Sequence, residues 1–194
     1  MQCNEIDERI FTAFVLVIKE SSSYSKITLT SVANKLGMSR QALYKTHYQS
    51  IDELIIALHY FIDQNPQMKL KKFLSQQAAY QHTDLIHFFA EEILPDLYSK
   101  RQYLQILYKG IACPPWTRFI MKSYIDILEP YFKGSETKTG LSVEFMTQLA
   151  VTQTLTIIAN WMNQPKPENP ATFSKKFIFL MTHSINDLIS INPD

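Results

Sequence analysis

Residues 28–48 carry two short helical patterns hinged on one glycine, and this arrangement constrains the fold more than any other feature of the chain. Thr28 is a good N-cap, because its hydroxyl can accept from the free amides of a first helical turn. Leu29, Val32, Ala33 and Leu36 then recur at the spacing of one helix face. Gly37 follows at once, and a glycine there can take the left-handed conformation that ends a helix sharply. Met38 is apolar and fills the corner, Ser39 is a second cap, and Arg40 to about Thr46 reads as a second short helix with Leu43 turned inward. Two short helices joined by such a turn describe a helix-turn-helix, whose second helix suits the major groove of DNA.

The flanks extend the helical reading. Ile6, Ile10, Ala13, Phe14 and Val17 share one face, and the Ser21-Ser22-Ser23 run ends that helix. Ser50 and Glu53 fit a capping box ahead of Leu54, Leu58, Phe61 and Ile62. Asn65-Pro66 predicts a break, because proline disfavours a helical residue before it, and the domain boundary is placed there. Beyond it, stripes at helical spacing run through Leu70–Ala78, Leu85–Ile93, Leu97–Lys109 and Phe119–Tyr131. Ser142 to about Asn163 and Ala171 to Ile191 follow. Pro95 and Gly110 are expected to interrupt or stop helices. Residues 134–140 and 164–170 read as loops. Only 4 glycines in 194 residues argue against sandwiches and doubly wound sheets, which spend glycine on turns. The expectation is all-α: a three-helix helix-turn-helix domain over 1–64, and a helical bundle over 65–194.

Net charge is only +1, so overall basicity points to no polyanion. Locally, Lys19, Lys26, Lys35, Arg40 and Lys45 face Glu20 alone between residues 19 and 48, and a clustered positive patch is what attracts phosphates. Arg40 can pair bidentately with guanine and Gln41 with adenine. Tyr44, Lys45, His47 and the Thr28 hydroxyl suit phosphate oxygens, and Ser39 starts the reading helix. Cys3 and Cys113 lie far apart, with no metal-ligand spacing, and the apolar stretches are too short to span a bilayer. Neither a metal nor another cofactor is expected, no membrane contact is implied, and the chain reads as cytoplasmic. No glycine-rich phosphate loop, GxSxG or HExxH is present. Three histidines have an acid four residues on (His59/Asp63, His87/Glu91, His183/Asp187), the only handle for a helical enzyme. The simpler reading is that these are exposed hydrogen-bonded pairs, and the chain is read as no enzyme.

The string Thr28, Leu36-Gly37, Met38, Ser39, Arg40–Ala42, Tyr44, His47-Tyr48 and Ser50…Glu53-Leu54 resembles the N-terminal signature of the tetracycline-repressor (TetR) family. The resemblance covers residues 6–64. It departs at two places. The Tyr44 to His47-Tyr48 spacing is one residue longer than usual, and Ile51 stands where the family commonly carries a lysine that holds a phosphate. The resemblance implies a transcriptional regulator, expected to be a repressor, that binds an inverted-repeat operator in double-stranded DNA. It also implies a homodimer, assigned to residues 142–163 and 171–191, and an unidentified small-molecule effector. Phe88, Tyr103, Trp116, Tyr124 and Gln153 are the candidate effector residues. The rival reading is a TetR-like protein that has lost DNA binding and acts through a protein partner.

Overall fold

In a computed structural model of the chain, residues 5–76, 82–109, 113–133 and 140–188 are described, and among them there is no strand. The chain divides into two compact units: Met1–Gln64 with Lys100–Ser123, and Asn65–Ser99 with Tyr124–Asp194. Lys100–Ser123 groups with the N-terminal part.

In the first unit, α1 (Glu5–Glu20) buries Ile10, Phe11, Ala13, Phe14, Val17 and Ile18. Ser21 ends it, its hydroxyl donating to the Val17 carbonyl. A 3-10 turn (Tyr24–Lys26) leads to α2 (Leu29–Leu36), which packs on α1, and to α3 (Arg40–Thr46), which packs on α2. α4 (Ile51–Ser75) begins in this unit. α7 (Arg101–Lys109) packs against α1 through a face holding Tyr103, Leu104 and Leu107, and α8 (Cys113–Phe132) adds Trp116 and Ile120 to the buried set.

The expected break at Asn65-Pro66 does not occur, since α4 runs through it to Ser75. Proline removes one helical hydrogen bond and crowds the preceding turn. Here Leu58, Ile62, Pro66 and Leu70 are all buried at a spacing of four. That stripe stays in register only if the helix continues, and its burial outweighs the lost bond.

His59 and Asp63 were expected to form an exposed pair. Both are 1% exposed, with Nε2 and Oδ2 3.5 Å apart and the Phe119 ring edge-on to the imidazole at 4.7 Å. Burial pushes the His59 pKa from 6.5 down to about 4, so the imidazole is neutral near pH 7. A base whose folded pKa is depressed contributes fully above its unfolded pKa and is lost as pH falls below it. Stability should therefore fall below pH 6.5 by about 1.4 kcal/mol per unit and level off near pH 4, on the order of 3 kcal/mol in all. Urea midpoints between pH 7 and 4 in the wild type and His59→Gln check this. The two curves should diverge on acidification, and parallel curves would refute a buried neutral imidazole.

In the second unit, α5 (His82–Phe88) passes into a π-helical turn (Phe89–Ile93) and then α6 (Leu94–Ser99). Pro95 does not interrupt this run. The Leu94 amide donates to Phe89 O, five residues back. In that register a donor at 95 would reach Ala90 O, which proline cannot supply. Ser174 Oγ approaches Ala90 O instead, at 2.8 Å, sharing its one hydrogen with Pro170 O at 2.7 Å. Lys69 Nζ takes the Glu92 carbonyl at 3.1 Å and pairs with Asp96 at 2.9 Å, which raises its pKa. The π turn persists because its loosened carbonyls find donors on α4 and on α10.

α9 (Val143–Met162) is capped by Ser142 and Asn163. α10 (Pro170–Thr182) is shorter than the expected 171–191 helix. It stops at His183, whose backbone is extended. A short α11 (Ile185–Leu188) follows, started by Ser184, whose amide and hydroxyl both donate to Asp187 at 2.8 and 2.6 Å. That local capping pair competes with continuing the helix, and residues 189–191 lie outside the described set. Trp161 stacks on Phe173 at 4.3 Å and on Tyr98 at 5.6 Å, and its indole N–H donates to Glu168 O at 3.0 Å. It pins the proline-rich loop to the core of this unit.

Candidate nucleic-acid interface

The residues 28–48 fold as two capped helices because each end has a local partner. Thr28 Oγ1 accepts the Ser31 amide at 3.1 Å, while Ser31 Oγ accepts the Thr28 amide at 3.0 Å, a reciprocal capping box. α2 ends at Gly37, with φ 69°. The Met38 amide there reaches back to Ala33 O at 3.0 Å, a Schellman closure that a side chain at position 37 would strain. Ser39 Oγ then caps α3 by accepting the Ala42 amide at 3.1 Å.

These caps orient α3. Leu43 is fully buried and Ala42 half-buried, so Arg40, Gln41, Tyr44 and Lys45 share the solvent side. Among the described residues the side chains of Arg40, Gln41 and Lys45 make no hydrogen bond or ion pair, which leaves their donors available to an outside partner. Thr28 and Ser39 are also exposed, with one lone pair each committed to a cap. His47 is half-buried.

α3 ends in a bend after Thr46. The His47 and Tyr48 amides both reach Leu43 O, at 3.0 and 3.1 Å, and His47 leaves the helical region at φ −133°, ψ −70°. This bend turns Tyr48 inward. Its ring is buried, 6.2 Å from that of Phe11, and its hydroxyl donates to Asp7 Oδ1 at 3.0 Å. The Asp7–Tyr48 bond ties the end of α3 to α1 and was missed in the sequence. The available signal was an acid, Asp7, beside the apolar face of α1.

Two details reduce the positive patch. Lys35 Nζ lies 2.6 and 2.8 Å from the two Glu20 oxygens, so one of the five basic residues is already neutralised. At the start of α4, Glu53 Oε2 accepts the Gln49 amide at 2.6 Å and the Glu53 amide donates to Ser50 Oγ at 3.0 Å. This helix end presents a carboxylate beside the half-buried Ile51, rather than open amides.

The expected effector residues separate between the units. Tyr103 and Trp116 belong to the first. Tyr103 is buried edge-on to Phe61 at 5.6 Å, and Trp116 edge-on to Tyr108 at 4.9 Å. Trp116 is 1% exposed, and its Nε1 has no hydrogen-bond partner among the described residues. Phe88, Tyr124 and Gln153 belong to the second. Phe88 stacks on Phe73 at 4.1 Å, Tyr124 is buried, and Gln153 is exposed, with its amide donating to Leu180 O at 3.0 Å. An open groove of about 460 Å³ on α1 and the end of α2, lined by Glu8, Arg9, Leu16 and Lys35 among others, touches none of the five.

Among the described residues, no group of three or more His, Cys, Asp or Glu side chains is placed to hold a metal ion. No helix there is long and apolar enough to cross a membrane. The side chains of Cys3, Cys113 and His82 lie outside the described set.

No protein-family model matches the chain, and no curated protein matches it. Solved structures do. Native NalD, the secondary repressor of the MexAB-OprM multidrug efflux pump in Pseudomonas aeruginosa, superposes with a TM-score of 0.65 at 19% identity, covering 90% of this chain and 94% of that one. A second NalD structure gives 0.61 at 20% identity, over 92% and 96%. Thermus thermophilus FadR, a TetR-family transcriptional repressor in complex with lauroyl-CoA, gives 0.56 at 14% identity, over 97% and 98%. At these identities the likeness establishes the fold: the chain has the all-α architecture of TetR-family repressors.

Proposed function

We propose that this chain is a transcriptional repressor that reads an inverted-repeat operator as a homodimer and is released by a small-molecule effector. The observation that carries the reading is the outward face of α3. Arg40, Gln41, Tyr44 and Lys45 are exposed together on a short helix fixed at both ends, and the two cations have no partner among the described residues. The reader lies in the first unit. Arg40 and Gln41 read base edges; Tyr44, Lys45, His47 and the Thr28 hydroxyl contact phosphates. The lauroyl-CoA bound in the FadR complex supports a small-molecule effector on this fold. The mechanism is linkage: an effector that binds one dimer geometry better than the other changes operator affinity by that difference. The candidate effector residues are rich in aromatic carbon, which favours a mainly apolar molecule held by one or two polar groups.

Lys35 neutralised by Glu20, and a carboxylate at the start of α4, favour one second reading, in which the fold is kept for a protein partner and phosphate binding is lost. Selection of bound sequences from random duplex DNA separates the two. Enrichment of an inverted repeat whose half-sites are spaced by one helical turn or its multiples is expected. Recovery of no preferred sequence would move the reading to the protein partner.

A further inference from the structure

The chain has two tryptophans, both 1% exposed, and treats them differently. The Trp161 indole N–H is hydrogen-bonded to Glu168 O. The Trp116 indole N–H is equally removed from water and has no acceptor among the described residues. Buried donors in folded proteins are nearly always paired, so an unpaired one calls for a specific explanation. The indole nitrogen is a donor only and cannot be satisfied by a second donor. What Trp116 lacks is therefore an oxygen or nitrogen lone pair. Tyr108 meets it edge-on, ring to ring, with centroids 4.9 Å apart, and no acceptor lies within hydrogen-bond distance of Nε1 among the described residues.

We propose that the Trp116 indole N–H, beside Tyr108 in the first unit, is the anchoring donor for an effector that presents one hydrogen-bond acceptor, a carbonyl, ether or carboxylate oxygen, on an otherwise apolar frame. The proposal rests on the effector-controlled reading above and adds to it the chemistry of the ligand and its point of attachment. Hydrocarbon alone would leave the donor unsatisfied. A strongly cationic molecule would meet a donor where it needs an acceptor. The anchor also sits in the unit that carries the reader, so ligand contact and DNA contact belong to one compact body.

The test uses the full chain with 15N-labelled tryptophan and two pairs of matched probes: acetophenone against ethylbenzene, and benzophenone against diphenylmethane. Each pair differs chiefly by the ketone oxygen. The spectrum should show two indole N–H signals, and Trp116→Phe identifies one by its loss. If that variant does not fold, contacts with the Tyr108 ring identify the signal, and the wild-type comparison decides alone. The expected result is that at least one ketone moves the Trp116 signal downfield, towards the hydrogen-bonded Trp161, and binds about tenfold tighter than its hydrocarbon partner. Trp116→Phe should remove that preference. The proposal is overturned if neither ketone moves the signal, if ketone and hydrocarbon bind equally, or if cross-relaxation shows a resident water that the ketones do not displace. No DNA enters the measurement. An unmoved signal alongside an enriched inverted repeat would overturn the anchor alone; a moved signal with no enriched repeat would overturn the operator reading alone.

Discussion

Phe145→Glu combined with Leu149→Glu should leave a monomer that no longer holds its operator. Phe145 and Leu149 stand four apart on one face of α9, and they are 50% and 49% exposed. Phe179, on the neighbouring α10, is 45% exposed. Large apolar side chains in such a row are seldom left to water unless a partner covers them. Phe173 and Phe177, within the 171–191 stretch, are buried inside the second unit, Phe177 stacked on Phe89 at 5.5 Å. The interface is therefore expected to centre on the outer side of α9. Under a two-fold axis every contact occurs twice, so two substitutions per chain place four carboxylates in one apolar seam. Losing the burial of four large side chains, each worth ~1.5–3 kcal/mol when fully covered, should weaken the dimer at least about a hundredfold. The same change should leave the helical content intact, because both side chains point away from the core. Sedimentation at micromolar concentration reads the first effect and operator gel shifts the second. A wild-type monomer, or a doubly substituted dimer, would refute the interface.

What the sequence disclosed and what it withheld divide along the range of the forces involved. The caps at Thr28, Gly37, Ser39, Ser50 and Ser142 are local hydrogen bonds within a few residues, and all were legible. The effects of Pro66 and Pro95 were not. A proline's local penalty is fixed, but whether the helix survives depends on what its flanks bury and on distant donors. Pro66 is carried by a stripe from Leu58 to Leu70, and Pro95 by the hydroxyl of Ser174. The His59/Asp63 spacing was visible, whereas its burial depends on Phe119, sixty residues on. Lys35 looked free because its partner, Glu20, is on another helix. The α10 stop was legible in principle: Ser184 and Asp187 form a cap pattern, but the apolar run from Phe173 onwards reads as one helix unless that pattern is given priority. At the reader, exposure of α3's outer face followed from Leu43 pointing inward. The inward turn of Tyr48 required Asp7, forty-one residues earlier.

Arg40→Ala and Lys45→Ala should both weaken DNA binding, but in different ways. Arg40 stands in the first turn of α3, where a recognition helix meets base edges. Removing a bidentate base contact should cost ~1–3 kcal/mol on the best operator and relax preference at one position per half-site. Gln41→Ala should behave likewise at a neighbouring position. Lys45 is in the last turn, and the reading assigns it to a phosphate. Its loss should weaken all duplexes alike and lower the salt dependence by about one ion. Ile51→Lys completes the comparison. The native residue cannot hold a phosphate, and Glu53 already occupies the Gln49 amide, so the start of α4 adds no attraction. A lysine at 51 should tighten binding to any duplex at low salt while leaving sequence preference unchanged. Its gain should be smaller than the loss in Lys45→Ala, because Asp52 and Glu53 offset part of the new charge. Titrations of the selected operator and a scrambled duplex at several salt concentrations separate these outcomes. If Arg40→Ala altered both duplexes equally, Arg40 would be a phosphate contact. If neither Arg40→Ala nor Lys45→Ala changed binding to either duplex, α3 would not be the reader.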